Sequence, residues 1–310
     1  MKNPLKIYTP KIFSKINKLI PFQNYSISYF KGGYESFGNN IQQIALGIIF
    51  CNINGYNFYL SNHPYITDFK VINNPLSDRF SFFKKKYRFY YFDKPATDFL
   101  KRKDYFNNKE NDFPISEQEK QIYNDKIHQV VQKYIRPNLH IHEENELSKD
   151  TLVIHIRSSD VFDNDWHSMY VQNPLSYFLM LIDKYEKIVI VTKDLKNPVI
   201  EKLSELENIE IKSSNFKDDL NIMMNAKNLA SSGVGTFVIA AALLSVEIKK
   251  YYCSQYYLSE HLNPTMIKNV EINSFNIDDY IEIGNFKKSE KILEKLLSEK
   301  IKVTKDTEYE

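Results

Sequence analysis

Glycine and cysteine are scarce in this chain, and it has no long apolar run. Only 2 cysteines and 8 glycines occur among 310 residues. Cys51 and Cys253 stand far apart, which excludes a disulfide framework and a four-ligand zinc site. A reducing cytoplasm is the simplest setting for them. The longest apolar stretch, Val234 to Val246, is broken by Gly235, Thr236 and Ser245. It falls short of the roughly 20 residues that cross a bilayer. The opening MKNPLKIYTPKIFSKINKLIPF is basic, yet it lacks the apolar segment of roughly 7 to 15 residues that marks a signal peptide. An excess of one charge is missing too: 41 Lys and Arg face 39 Asp and Glu, a net +2. Nucleic-acid-binding domains usually have an isoelectric point above about 9, so no nucleic acid is expected as a partner.

What is present is enough chain for about two domains of roughly 150 residues, rich in Tyr and Phe. Lys11 to Ile20 alternates Lys with apolar residues. It reads either as a surface helix with a solvated basic face or as an amphipathic contact with an anionic membrane. The expected location is cytoplasmic, with peripheral contact at the inner membrane face as the alternative.

Residues 41 to 53, IQQIALGIIFCNI, predict a buried helix, since the run is too long for a strand and holds no turn residues. Asn54 to Tyr91 reads as mixed strand and loop, and residues 101 to 126 are highly charged. Ser116 to Tyr134 has helical spacing at Ile122, Ile127, Val130, Val131 and Tyr134, opened by a capping box from Ser116 and stopped by Pro137. Beyond Asp150 the pattern changes. Strands are predicted at Thr151–Ile156, Lys187–Thr192, Ile209–Lys212, Asn228–Ser231 and Glu247–Tyr252. Helices are predicted at Pro174–Tyr185, Pro198–Leu206, Asp218–Lys227 and from Thr236 to Ser245. Regular strand–helix alternation argues for a parallel α/β sheet of Rossmann type, in which ligands bind at the carboxyl ends of the strands. From Lys287 a charged helix with Ile292, Leu293, Leu296 and Leu297 leads into a polar tail.

Four clusters carry chemistry. His155-Ile156-Arg157-Ser158-Ser159-Asp160 ends the first buried strand, where alternation turns His155 and Arg157 to one face. An Arg fork there suits a phosphate; a structural pair of Arg157 with Asp160 or Asp194 is the competing reading. Ala230 to Phe237 is a strand–loop–helix transition whose small residues Ser232, Gly233 and Gly235 let backbone amides approach an anion. It is neither a Walker loop nor a full dinucleotide fingerprint, and a plain helix cap explains it equally well. Asp218 and Asp219 begin a helix and complement its dipole. Gly32, Gly33 and Gly38, with Glu35, Asn39 and Asn40 between and after them, form a shaped turn or a substrate loop ahead of the first helix. Asp163-Asn164-Asp165 reads as loop rather than as a metal–diphosphate motif, since it lies past the strand end. His140-Ile141-His142 falls in a polar linker, so no metal site is expected. No G-x-S-x-G occurs to support a serine hydrolase.

In order and spacing these pieces resemble the GDP-fucose fucosyltransferase superfamily, which includes the α1,2-, α1,6- and protein O-fucosyltransferases. Gly38-Asn39-Asn40-Ile41-Gln42-Gln43 is similar to its glycine–asparagine loop, and His155, Arg157 and Asp160 match its H-x-R-x-x-D strand end. Val191-Thr192-Lys193-Asp194 is similar to its Ser-Asp-Asp strand, Asp219-Leu220 with Met223 to its acid–Leu–x–x–Met, and Gly235-Thr236-Phe237 with Ala241-Ala242 to its Ser-Thr-Phe helix start. The second half is covered well, the first half at one loop. The second Arg of the α1,2 and α1,6 branches is Ser158 here, and the usual Ser-Trp-Trp after Thr-Phe is Val238-Ile239-Ala240.

The resemblance implies an α/β protein with two Rossmann-like domains facing a cleft (GT-B-like). These are residues 1–149 on the acceptor side, residues 150–285 as the better-defined nucleotide-sugar domain, and residues 286–310 as C-terminal helix and tail. It implies a glycosyltransferase that moves fucose or another GDP-linked sugar to a glycan or lipid-linked glycan of a surface polysaccharide, inverting and metal-independent, with no cofactor beyond the GDP-sugar co-substrate. Arg157 would grip the β-phosphate and His155 the nucleoside. Asp218 or Asp219 would accept guanine N–H bonds. Ser232, Gly235, Thr236 and Phe237 would cradle the diphosphate, and Asp194 and Gly38 would border it. Asn39 would reach across from the first domain. Glu35 is the candidate base, with Asp160 its competitor. A non-catalytic nucleotide- or glycan-binding module on the same fold is the alternative.

Overall fold

The computed structural model describes residues 24–27, 37–79, 81, 84–92, 99–104, 109–114, 117–141, 147–164, 166–259 and 261–306. The chain is α/β, built on two sheets. In the first, β1 (Asn24–Ile27), β2 (Asn57–Leu60), β3 (Phe69–Val71), β4 (Lys84–Phe92), β5 (Phe99–Asp104) and β6 (Lys109–Pro114) lie in the order β3-β2-β1-β4-β5-β6. Strands β2, β1 and β4 are parallel and the rest pair antiparallel. Helix α1 (Phe37–Asn54) joins β1 to β2, the short α2 (Pro75–Asp78) follows β3, and α3 (Glu117–Val130) leaves the sheet. A π-helical turn at Val131–Ile135 and a 3₁₀ turn at Arg136–Asn138 extend α3, and Pro137 sits in the turn that ends it.

Helix α1 begins at Phe37, so Gly38, Asn39 and Asn40 form its first turn rather than a loop before it. From Phe37 to Cys51 only Asn39 is not fully buried. A helix apolar on all sides must be enclosed on all sides. On α3 the expected stripe holds at Ile127, Val130 and Val131, but Ile122 is 44% exposed and Tyr123 turns inward in its place.

The second sheet is the larger. Its strands are β7 (Thr151–His155), β8 (Lys187–Val191), β9 (Ile209–Lys212), β10 (Asn228–Ser231), β11 (Lys250–Ser254), β12 (Glu271–Ile277) and β13 (Val303–Lys305), in the order β13-β12-β11-β10-β7-β8-β9. All neighbours are parallel except β12 with β13. Helices α4 (Leu175–Ile182), α5 (Pro198–Leu203), α6 (Phe216–Met224) and α7 (Phe237–Leu244) make the crossovers, and α8 (Glu290–Leu296) precedes β13. Alternation divides each strand between two cores. Val153, Val189, Leu229 and Tyr251 face one, and Leu152, Ile154, Ile188, Ala230 and Tyr252 the other. Three expectations need correction. The strand placed at Glu247–Tyr252 starts at Lys250, because Glu247 pairs with Lys227 and its amide bonds the Ser245 hydroxyl. Strand β12 was not anticipated, since its apolar side chains are interspersed with Glu271, Asn273, Ser274 and Asn276. Strand β13 lies within what read as a polar tail.

The two sheets share a core. The cluster on the α6–α7 side of the second sheet continues without a break into α1, β2 and α3. Helix α7 is buried throughout because it lies between β10 and α1. The closest approach is at the two helix starts. A Cβ built on Gly38 would stand 2.4 Å from Thr236 Oγ1 and 2.6 Å from the Thr236 carbonyl carbon. Gly38→Ala is therefore expected to lower unfolding free energy by about 1–3 kcal/mol in urea. Gly235→Ala, whose Cβ would meet nothing nearer than Arg157 Cδ at 3.7 Å, should stay within about 0.5 kcal/mol of wild type. Equal losses in the two variants would contradict this steric account.

Candidate functional site

Strand order turns around between β7 and β10: the chain runs outward from β7 through β8 and β9, then returns to β10 on its other side. Doubly wound sheets open a crevice at this switch point, beyond the carboxyl ends of the strands. Here an open pocket occupies it, lined by His155, Ile156, Arg157, Ser158, Ser159, Asp160, Lys193, Gly235, Thr236 and Phe237. Helix α7 starts at its floor, and the N-cap Thr236 does not cap it with its side chain. The Thr236 hydroxyl points instead to Asn39 Oδ1 at 3.4 Å, joining α1 to the rim.

Arg157 is held on several sides. Its amide donates to Ser232 Oγ (2.9 Å), and its carbonyl accepts from Asn197 Nδ2 (3.0 Å). The guanidinium lies over the Tyr170 ring at 4.2 Å, and Nη2 pairs with Asp160 Oδ2 at 3.1 Å. Its side chain is 19% exposed, against 48% for Asp160. Asp194, the other anion considered for Arg157, is engaged elsewhere. Its Oδ1 accepts from Ser158 Oγ (2.5 Å), Ser159 N (3.1 Å) and Lys196 N (3.0 Å). Burial pushes its carboxyl up, but these hydrogen bonds and the Lys196 charge outweigh it and hold the group below the usual carboxylate range. The bonds shape a turn in which Ser159 takes φ +59°, an unusual conformation for a residue with a Cβ. Ser158, where the α1,2 and α1,6 branches of the resembled family have a second Arg, is buried as part of this turn.

A second wall is stitched to the exit of β10. Asn173 N bonds Ser232 O (2.7 Å), Val234 N bonds Val171 O (2.9 Å), and Ser232 Oγ donates to Gln172 Oε1 (2.7 Å). Gly233 sits at φ +117°, with the position of a Cβ 2.4 Å from Val171 O, so glycine is required there. Ser232 is spent on this junction rather than turned to the cavity.

The inner end of the crevice is aromatic. Phe237 meets His155 edge-on at 5.4 Å, and Phe216 and Phe37 at 5.6 and 6.1 Å. Phe37 and Tyr65 from the first half complete the seam against Phe216, at 4.9 and 4.1 Å. Burial, then the nearby Arg157 charge, pushes the His155 imidazole down to about 3, and burial alone pushes His63 down to about 4. Both are neutral rings at neutral pH.

The crevice thus brings together His155, Arg157, Asp160, Gly235, Thr236 and Phe237, with Asn39 and Gly38 at the rim. It does not gather the acids of α6. Asp219 is fully buried and accepts from Ser214 N (3.3 Å), and Asp218 is held by Asn215 Nδ2 (2.6 Å) at an exposed helix start. Glu35, with Gly32, Gly33, Asp165, His142 and Lys11–Ile20, lies outside the described residues. Asp163 pairs with Lys196 (2.5 Å). Among the described residues, no group of three or more His, Cys, Asp or Glu is placed to hold a metal ion, and no helix is long and apolar enough to cross a membrane. Sequence reasoning missed Lys193 as a wall of the cavity, Asn197 as a brace, and Tyr170. Only Asn197 carried a local signal, the Asn-Pro of a helix start. No family model and no curated protein sequence matches the chain.

The neutral histidines have a consequence for stability. Unfolded histidines titrate near pH 6.5, whereas His155 and His63 in the fold resist protonation until about 3 and 4. Below pH 6.5 the unfolded chain binds protons that the fold excludes, so stability is full above pH 6.5 and falls as pH drops, by up to about 1.4 kcal/mol per unit for each histidine. Urea unfolding from pH 7 to 4.5 should show this fall, and His155→Gln should show a shallower one. Parallel curves would contradict the assignment of a neutral buried His155.

Proposed function

We propose that the chain is a glycosyltransferase that moves a sugar, fucose or another GDP-linked sugar, from a nucleotide donor to a glycan acceptor. On this reading the second sheet is the donor unit and the first sheet the acceptor side of a two-unit, GT-B-like enzyme that holds the donor in the crevice between β7 and β10. The observation that carries it is Arg157, just beyond the carboxyl end of β7, facing the start of α7 across an open pocket at the switch point of the sheet. As the acceptor oxygen bonds the anomeric carbon and the sugar–phosphate bond breaks, negative charge grows on the departing nucleoside diphosphate. A fixed guanidinium and the amides of a helix N-terminus stabilise charge that develops in this way. Neutral His155 offers a ring and a hydrogen-bonding nitrogen without adding positive charge beside Arg157.

Inverting transfer also needs a base for the acceptor hydroxyl. Glu35 and Asp160 remain the candidates. Asp160 is bound to Arg157 in this structure, which favours an orienting role for it and leaves Glu35 as the first base to test. The acids of α6, Asp219 buried and Asp218 exposed away from the crevice, give the guanine claim less support than the phosphate claim. The alternative, a binding module on the same fold, differs in having affinity without turnover.

Thermal melts with GDP, UDP, CDP, ADP and NAD separate these readings. A ligand at about 100 times its dissociation constant adds roughly 2.7 kcal/mol of stability. GDP should raise the wild-type midpoint by several degrees, Arg157→Ala should lose that response, and GDP-sugar should be slowly hydrolysed by wild type alone. A response to another nucleotide that survives in Arg157→Ala would overturn the donor-site reading.

A further inference from the structure

We propose that Tyr170 is a positioning residue for anion recognition in the crevice, acting through Arg157 rather than by touching the ligand. The proposal rests on the reading of the crevice as a phosphate site, though not on which nucleotide or sugar is bound. Arg157 has two outer restraints and one open side. Nη2 is drawn by Asp160, an exposed carboxylate on the solvent side of the pocket. The Tyr170 ring, 4.2 Å away, covers one face of the guanidinium. Gly235 leaves room on the side of the α7 start, where the nearest Arg157 atoms to the position of a Cβ are Cδ at 3.7 Å and Nη1 at 3.9 Å. With Asp160 alone, a long side chain would swing towards the exposed carboxylate. With the ring beneath it, the plane stays fixed, and Nη1 faces the helix start while Nη2 is paired.

Such a plate works only if it cannot move, and Tyr170 adjoins one of the most firmly tied segments of the molecule. Val171 O accepts from Val234 N (2.9 Å), and Gln172 Nε2 donates to Val234 O (3.2 Å). Tyr280 OH donates to Gln172 O (3.0 Å), and Ser254 Oγ donates to Asn173 Oδ1 (2.7 Å). Gly233, whose missing Cβ lets Val171 O come close, makes this junction sterically possible. The same junction through Ser232 Oγ holds the Arg157 amide. Ring and guanidinium are therefore referenced to one rigid frame, and a cation over an aromatic face gains attraction that an aliphatic side chain of similar bulk does not supply.

The test uses inorganic pyrophosphate as probe, by calorimetry on wild type, Tyr170→Phe and Tyr170→Leu, with the Arg157 side-chain N–H signals followed by NMR. The expected result is binding by wild type and by Tyr170→Phe to within about twofold, and a loss of about tenfold in Tyr170→Leu. The ring-induced shift of the Arg157 signals should persist with Phe and vanish with Leu. Pyrophosphate bound as tightly by folded Tyr170→Leu as by wild type would overturn the proposal while leaving the nucleotide-sugar reading intact. If Tyr170→Leu fails to fold, Tyr170→Phe decides: a tenfold loss with the ring retained would overturn it, and retained affinity with the shifted Arg157 signal would support it. Wild type that binds pyrophosphate but not GDP would remove the guanine reading, and the pyrophosphate affinities of the two Tyr170 variants would still decide the proposal. Wild type that binds neither would overturn both.

Discussion

Strands β7 and β10 lie side by side while the chain leaves them on opposite sides, and the crevice opened by this reversal is the constraint on which the site depends. The ends of both strands must be filled with residues that tolerate partial burial. Those of β7 are His155 and Arg157, and those of β10 are Ser231, Ser232 and Gly233. Each is tied to its neighbour before any ligand arrives: Ser232 holds the Arg157 amide, and Gly233 allows the Val171–Asn173 segment to close over the junction. A polar group left unsatisfied at this depth would cost about 1–3 kcal/mol, which is why the junction is so thoroughly bonded.

The electrostatics follow from burial. His155 is neutral because a protonated ring would be desolvated beside a guanidinium. Asp194 keeps its charge because Ser158 and the Ser159 and Lys196 amides converge on one oxygen. Asp160, half in water, balances Arg157 without covering it. The first sheet contributes through a core shared with the second, an aromatic seam of Phe37 and Tyr65 on Phe216, and the close contact of Gly38 on Thr236, which sets Asn39 at the rim. Chemistry and fold thus meet at the start of α7, a helix that can be apolar on every side only because α1 encloses it.

Much of the second sheet was legible in the sequence. Strands β7 and β8 are buried on both faces and read as apolar runs, β10 was marked by the glycine loop and helix that follow it, and the alternation with helices matched a doubly wound sheet. Strands β12 and β13 escaped notice: β12 has polar residues among its apolar ones, and β13 looks like tail until it pairs. That His155, Arg157, Gly235, Thr236 and Phe237 would lie at the crevice was legible because they stand at strand ends and helix starts, which local pattern marks. The roles of Asp194 and Ser232 were not, since both depend on which backbone group lies opposite in space. Tyr170 belongs to the same class: nothing in its neighbours in sequence says that its ring lies under Arg157.

The most direct test is a crystal structure of the protein with GDP bound. The account predicts the β-phosphate in the crevice between β7 and β10, within about 3 Å of the Arg157 guanidinium and of the first amides of α7. A nucleotide bound elsewhere, or one whose phosphates face away from Arg157, would contradict it.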